Sequence, residues 1–240
     1  HIRQFGVGTE KVEQLAQELF QEARFLRWDA ETTRQKGAHD LILSNFSRKG
    51  ADFLIGTQML AKGLDLPMVT LVGVILADVG LNLPDFRAGE RTFQLLTQVA
   101  GRAGRSPLGG KVVLQTFQPE HYAIQAAASQ DYREFYRREV ARRRQIGYPP
   151  FSRLVRLEYR HKDAREAEAA ARALAARLSR WIEDEGQRNV GIIGPVPCFF
   201  ARQDGLYRWQ IILRGQDPAA VVRGRSLPDW RIEVDPPSLL

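Results

Sequence analysis

From Thr9 to Phe20 apolar residues recur every three or four positions. Val12, Leu15, Ala16 and Leu19 fall on one face, and Thr9 stands where it can cap the predicted helix. Short apolar runs flank it: "IRQFG" before, "ARFLRW" after, each read as a strand. "GAHDLILSNFSRKG" reads as a helix stopped by Gly50, and "ADFLIGT" as the next strand. "VTLVGVILAD" is almost continuously apolar, the pattern of a strand covered on both faces. A helix over Glu90 to Ala100, with Phe93, Leu96 and Val99 on its apolar stripe, and a strand "KVVLQTF" complete residues 1–117. This strand–helix alternation predicts an α/β unit with a parallel sheet.

The pattern then changes. Residues 118–150 read as a basic helical connection, ending at Gly147 and the Pro149-Pro150 pair. Beyond it come a strand (Leu154–Tyr159), a long Ala/Arg helix (Ala164–Glu185), strands at Val190–Ile193 and Tyr207–Leu213, a short helix near Ala219–Arg223, and a strand at Arg231–Val234. That order is β-α-β-β-α-β. It predicts a smaller α+β domain over 151–240 in the split βαβ, ferredoxin-like arrangement, with an antiparallel sheet.

With 44% hydrophobic and 26% charged residues, the composition is that of a soluble globular protein. The net charge of +7 is less ordinary and favours a polyanionic partner, nucleic acid above all. The single cysteine, Cys198, excludes an intrachain disulfide and a cysteine cluster for zinc. No leader and no long apolar span are evident, so a cytoplasmic setting away from membranes is expected. The chain opens on His1, and its only methionines are Met59 and Met68, so it is expected to be part of a longer protein.

Candidate chemistry concentrates in two stretches. In "QVAGRAGR" (residues 98–105), Arg102 and Arg105 sit in a glycine-rich frame, where bare backbone allows close approach and paired guanidinium forks suit a polyphosphate. Gln98, Arg102 and Arg105 share a face at helical spacing. The plainer alternative is a pair of solvated cations offsetting a helix terminus. In "GTQMLAKGLDLP", Thr57 follows a strand, so its hydroxyl is expected at the carboxyl edge where open α/β sheets bind ligands. Gly63 and Asp65 form a tight segment that suits either a phosphate or metal-bound water, or a simple turn cap. Two other glycine-rich stretches do not qualify as phosphate loops. "GVGTEK" lacks the third glycine of a dinucleotide loop, and "GRSPLGGKV" has the wrong spacing and leads into a strand. Arg137, Arg138 and Arg142 belong to a basic stripe that is either a solvated face or a contact to DNA phosphate. Tyr207, Arg208 and Trp209 mix aromatic and basic character on a strand, so Trp209 is either a base-stacking residue or core. His39 and His121 stand at helix starts as capping or surface residues; no metal ligands are expected.

"GTQMLAKGLDLP" resembles motif V of superfamily 2 helicases, and "QVAGRAGR" resembles motif VI. The intervening "LADVGLNLPDFRAGERTFQLLTQ" and the closing "GPVPCFFARQDGLYRWQIIL…EVDPPSLL" narrow the resemblance to the PriA family of primosomal replication-restart helicases, also called primosomal protein N′. The resemblance covers essentially the whole chain. It implies a RecA-like second helicase lobe followed by the C-terminal domain of a 3′→5′ ATP-dependent DNA helicase. It further implies that Arg102 and Arg105 are arginine fingers, that Gln98 contacts nucleotide, that Gly63 and Asp65 couple nucleotide state to DNA, and that Thr57 faces DNA backbone or phosphate. The Walker A lysine, the acidic pair for Mg²⁺ and the zinc-binding cysteines of the family have no counterpart here and are expected upstream of His1. This chain alone is therefore expected not to hydrolyse ATP. Implied partners are forked and single-stranded DNA, single-strand-binding protein and primosome proteins, at bacterial replication forks. Two alternatives stand beside this reading: a non-catalytic DNA or protein docking module, and another superfamily 2 translocase.

Overall fold

A computed structural model describes residues 8–34, 37–57, 66, 68–103 and 109–240, the side chains of 102 and 103 excepted. The chain divides into two compact units, one formed by His1–Asn82 and Gly89–Phe135, the other by Leu83–Ala88 and Tyr136–Leu240.

In the first unit, helix α1 (Thr9–Leu19) leads to strand β1 (Phe25–Trp28), helix α2 (Ala38–Ser47) to strand β2 (Phe53–Gly56), and strand β3 (Leu71–Val74) to a 3-10 turn at Ala77–Val79. Helix α3 (Ala88–Ala103, from Gly89 in this unit), strand β4 (Lys111–Leu114) and helix α4 (Tyr122–Ala128) follow, and helix α5 (Tyr132–Ile146) begins here and belongs from Tyr136 to the second unit. The strand pairs are parallel, as the alternation predicts. β1 runs beside β2 from Phe25↔Phe53 to Trp28↔Gly56, and β3 beside β4. Among the described residues they form two separate two-stranded sheets.

The stripe expected on α3 is real. Phe93 and Leu96 are buried with Ala77, Ile124 and Phe135, and the Phe93 and Phe135 rings stack at 4.1 Å. Gly80 lets the chain after the 3-10 turn lie close to α3, because a Cβ there would lie 2.5 Å from the Thr92 hydroxyl oxygen. Three local expectations need correction. Gly8, not Thr9, is the N-cap of α1, since the Thr9 hydroxyl is engaged by Asp29 at 2.6 Å. The run "VTLVGVILAD" makes only a four-residue strand with alternating exposure. Leu76 turns to φ 57 and sends the chain into the 3-10 turn. The strand expected at "IRQFG" lies outside the described residues.

In the second unit, strand β5 (Arg153–His161), helix α6 (Ala164–Asp184), strand β6 (Gly191–Gln203), strand β7 (Leu206–Gly215) and strand β8 (Trp230–Val234) form one antiparallel sheet in the order β6-β7-β5-β8. Asp163 caps α6 by accepting the amides of Arg165 and Glu166 at 2.7 and 3.1 Å. One sheet face is apolar: Val155, Leu157, Ile211 and Leu213 pack with Leu174 and Leu178 of α6 and with Val221, Val222 and Leu227. The short helix expected near 219–223 is a run of turns. Its bonds close mainly over three residues, and Gly224 at φ 74 follows, yet Val221 and Val222 still reach the core.

The opposite face buries charge. Glu158 of β5 is fully enclosed and accepts from Arg208 at 2.8 and 3.0 Å, Arg160 at 2.6 Å and Arg156 at 3.3 Å. Burial pushes its carboxyl up, but donation from Arg208 and Arg160 outweighs this and holds it at about 2. A depressed carboxyl stabilises the fold above its unfolded value near 4.5, and this stability is lost as the pH falls towards 2. The contribution is about 3 kcal/mol. Urea unfolding of this chain should therefore show stability falling below about pH 4.5. Glu158→Gln, which leaves buried guanidiniums uncompensated, should cost about 3–5 kcal/mol at pH 7 and flatten the acid dependence. An unchanged acid slope in the variant would place the titrating groups elsewhere.

Candidate nucleotide and nucleic-acid site

Parallel strands expose backbone and loop groups at their carboxyl ends, and ligands of open α/β sheets gather there. Trp28 and Gly56 are the last paired residues of β1 and β2, so Asp29 and Thr57 leave the sheet as neighbours. Thr57 is exposed. Asp29 is 8% exposed and organises the loop around it. One carboxylate oxygen accepts the amides of Glu31 and Thr32, both at 3.0 Å, while the other takes the Thr9 hydroxyl at 2.6 Å and lies 2.9 Å from Arg27 Nε. The Thr32 hydroxyl oxygen accepts the Asp29 amide at 3.0 Å, and the Thr33 hydroxyl donates to the Asp29 carbonyl at 2.5 Å. The Thr9 hydroxyl holds the Asp29 carboxyl below its ordinary range; burial opposes the shift, and the two amides and Arg27 reinforce it. A short, rigid, hydroxyl-rich loop results.

A second carboxylate does the same work at the ends of β3 and β4. Asp78 is 5% exposed and accepts the Thr116 hydroxyl at 2.6 Å and the amides of Phe117 and Gln118 at 2.9 and 3.1 Å. Burial pushes this carboxyl up, but Thr116 and the amides draw it below the usual range. The loop it anchors carries Phe117 at 82% exposure. His121, three residues beyond Gln118, caps α4 by accepting the Ala123 amide at Nδ1, 3.2 Å away.

Of the predicted nucleotide residues, Gln98 is exposed on α3, and Arg102 follows four residues later in the same helix. That spacing puts both on one face. Gly63, Asp65 and Arg105 lie outside the described residues, as does the Arg102 side chain. Of the predicted DNA contacts, Arg137, Arg138 and Arg142 are exposed along α5. Their neighbour Arg143 pairs with the buried Glu139 at 2.7 Å. Trp209 is half-buried on β7, opposite Tyr159 and Pro197, in register with Ile211 and Leu213 on the α6-covered face. Asp29 and Asp78 were not singled out from the sequence. Their available signal was local: a carboxylate leaving a strand, with amides or Ser/Thr hydroxyls two or three residues on.

Among the described residues no group of three or more His, Cys, Asp or Glu side chains could hold a metal ion. No helix among them is long and apolar enough to cross a membrane.

Comparison with known proteins matches both units. The family model "Helicase conserved C-terminal domain" matches residues 4–107, and "Primosomal protein N C-terminal domain" matches residues 144–237. The chain is 44% identical over 214 residues to replication restart protein PriA of Bacillus subtilis (strain 168), covering 89% of this chain and 26% of that protein. The PriA of Chlamydia trachomatis is 52% identical over 151 residues, 63% of this chain and 20% of the relative. That of Haemophilus influenzae is 34% identical over 233 residues, 96% and 31%. The chain thus spans between a fifth and a third of the length of these curated relatives.

The Asp29 loop generates a direct expectation. Asp29→Ala removes the acceptor of the Glu31 and Thr32 amides, so their hydrogen exchange should accelerate by at least about tenfold and stability should fall by about 1.5–3 kcal/mol. Unchanged exchange at both amides would show that the loop is held by something else.

Proposed function

We propose, because this chain belongs to the PriA family of replication restart proteins and carries the C-terminal part of it, that it works as half of the ATP site of a 3′→5′ DNA helicase. In this reading the full-length protein reopens stalled forks and assembles the primosome in the bacterial cytoplasm. Residues 1–117 are the RecA-like second lobe, 118–150 the basic connection, and 151–240 the C-terminal domain. The strand order β6-β7-β5-β8 supports a split βαβ arrangement for that domain, with turns in place of its second helix.

The observation that carries the reading is α3. One unbroken helix places Gln98 and Arg102 on a common face and delivers the chain to the glycine-rich segment holding Arg105. Bound ATP with Mg²⁺ supplies a phosphoryl group whose negative charge spreads over its oxygens during transfer. Arg102 and Arg105 meet that charge from this lobe, and Gln98 contacts the nucleotide. Gly63 and Asp65 link the occupied state to DNA. Thr57, beside the rigid Asp29 loop, contacts the DNA backbone. Arg137, Arg138 and Arg142 follow phosphates along single-stranded or forked DNA, and Trp209 stacks on a base. The Walker A lysine, the Mg²⁺ ligands and the Zn²⁺ ligands belong to the preceding part of the protein. Single-strand-binding protein and primosome proteins are the partners in this reading.

Steady-state ATP hydrolysis by the full-length protein tests it. Arg105→Ala should lower DNA-stimulated turnover by about 10³-fold with DNA affinity retained, and this chain alone should show no turnover. Undiminished turnover in the variant would leave a docking module as the better description.

Arg137, Arg138 and Arg142 give a separate expectation. Replacing all three with alanine should lower the slope of log affinity for single-stranded DNA against log salt by about 2, since each phosphate contact contributes about 0.7. Anisotropy titrations at several salt concentrations measure it, and an unchanged slope would remove these arginines from the DNA path.

A further inference from the structure

Strand β6 stands at one edge of the antiparallel sheet, with β7 as its one neighbour among the described residues. Pro195 and Pro197 lie within it and have no N–H to give to a ladder, which a sheet tolerates at an edge. The pairing with β7 breaks twice, first between Ile193 and Val196, then between Pro197 and Arg202. The second break is the larger. Pro197 pairs with Trp209 and Arg202 with Tyr207, so the four residues Cys198 to Ala201 stand opposite Arg208 alone. A bulge of that size re-aims the side chains it carries.

Both ends of the bulge are anchored. Cys198 is buried, close enough to the charge network for Glu158 and Arg208 to act on its thiol, which burial pushes up to about 11. Gln203, just past the bulge, accepts from Arg208 Nη1 at 2.8 Å, and Arg208 is itself held by Glu158. Between these anchors Phe199 and Phe200 turn outward, 45% and 59% exposed, with their rings edge to face at 5.0 Å. Arg202 follows, exposed, its guanidinium 5.3 Å from the Tyr207 ring and without a carboxylate partner among the described residues. Adjacent exposed aromatics on an edge strand invite association, and edges are ordinarily blunted against it. Here the buried network behind the bulge holds them out.

We propose that the Phe199–Phe200 bulge is a base-stacking platform for single-stranded DNA, with Arg202 holding the adjoining phosphate. The platform deepens the DNA-binding part of the proposed function, on which it rests, and is a contact separate from Trp209 and the α5 arginines. Every base has a face on which an aromatic ring can stack, and the chain linking the bases carries a negative charge at each nucleotide. An aromatic pair beside a guanidinium that has no carboxylate of its own matches that repeat. An apolar protein surface would match the rings and leave Arg202 without a counter-charge. In a duplex the bases are already stacked on one another, so the platform acts on unpaired strands.

The test is fluorescence anisotropy of the full-length protein with three labelled ligands: an oligothymidylate, a strand of the same length with abasic sites in place of its central bases, and a blunt duplex. Replacing Phe199 and Phe200 together with alanine should weaken oligothymidylate binding about tenfold and leave the abasic strand and the duplex unchanged. Phe200→Tyr, which keeps a stacking ring, should bind as the wild type does. The slope of log affinity against log salt should be unchanged in the alanine variant, whereas Arg202→Ala should lower it by about 0.7 on both single strands. Equal oligothymidylate binding by the alanine variant and the wild type overturns the platform, as does an equal loss on all three ligands. A variant with unaltered DNA binding but altered sedimentation would give the surface to a protein contact instead. Should the wild type bind no single-stranded DNA, the proposed function itself falls; if it binds and the variants match it, the platform alone falls.

Discussion

The Asp85 carboxylate is the contact that holds residues Leu83–Ala88 within the second unit. An ionised carboxylate is costly to bury unless its oxygens find donors, and hydrogen bonds to a charge are roughly twice as strong as neutral ones. Asp85 finds its donors in its own loop and in Ser238 and Leu239, some 150 residues away in the chain. A six-residue loop is thereby taken out of the helicase-type sequence and built into the other unit. Phe86 adds apolar packing to the same capture.

The same constraint recurs at three more places with different donors. Asp29 and Asp78 leave strand ends and gather hydroxyls and backbone amides, which turns the following loops into fixed platforms. Glu158 lies in mid-strand, where the backbone is already committed to the sheet, so it takes guanidiniums instead. The first solution shapes the edge where ligands of α/β sheets bind. The second stiffens the sheet to which residues 235–240 are tied. Function on the proposed reading draws on the first: loops that hold their shape beside DNA.

How much of this the sequence announces depends on the range of the interaction. Helices with strong 3.6-residue periodicity are legible almost to the residue. The α6 pattern predicts Ala164–Glu185 against Ala164–Asp184, and the α1 pattern Thr9–Phe20 against Thr9–Leu19. Asp204-Gly205, between Gln203 and Leu206, carries the dipeptide signal of a two-residue hairpin and closes one, with φ 51 and 79. Alternation along "LVRLEY" separates Arg156 and Glu158 from Leu157, but charge in alternation normally means a solvent face. The principal donor to Glu158, Arg208, lies fifty residues further along the chain, out of reach of any local pattern. Distance along the chain hides Asp85 too. "LPDFRAGER" reads as a link between helicase elements, and nothing local to it points to Ser238. Motif and helical spacing single out Gln98, Arg102 and Arg105 as candidates, whereas Asp29 and Asp78 act by supporting backbone and bear no mark of ligand chemistry. Trp209 shows the limit of composition: a basic-aromatic neighbourhood, on a strand whose register places the ring on the helix-covered face.

The central claim is that this lobe completes a nucleotide site in the transition state for phosphoryl transfer and contributes little to ground-state binding. The most direct measurement is the affinity of the full-length protein for ADP and for ADP with fluoroaluminate, in the wild type and in Arg105→Lys. Groups that act only at the transition state strengthen binding of its analogue and leave the product alone. The account predicts much tighter binding of the analogue than of ADP by the wild type, and loss of that advantage by at least about 10²-fold in the variant at unchanged ADP affinity. Equal advantage in both proteins would contradict it.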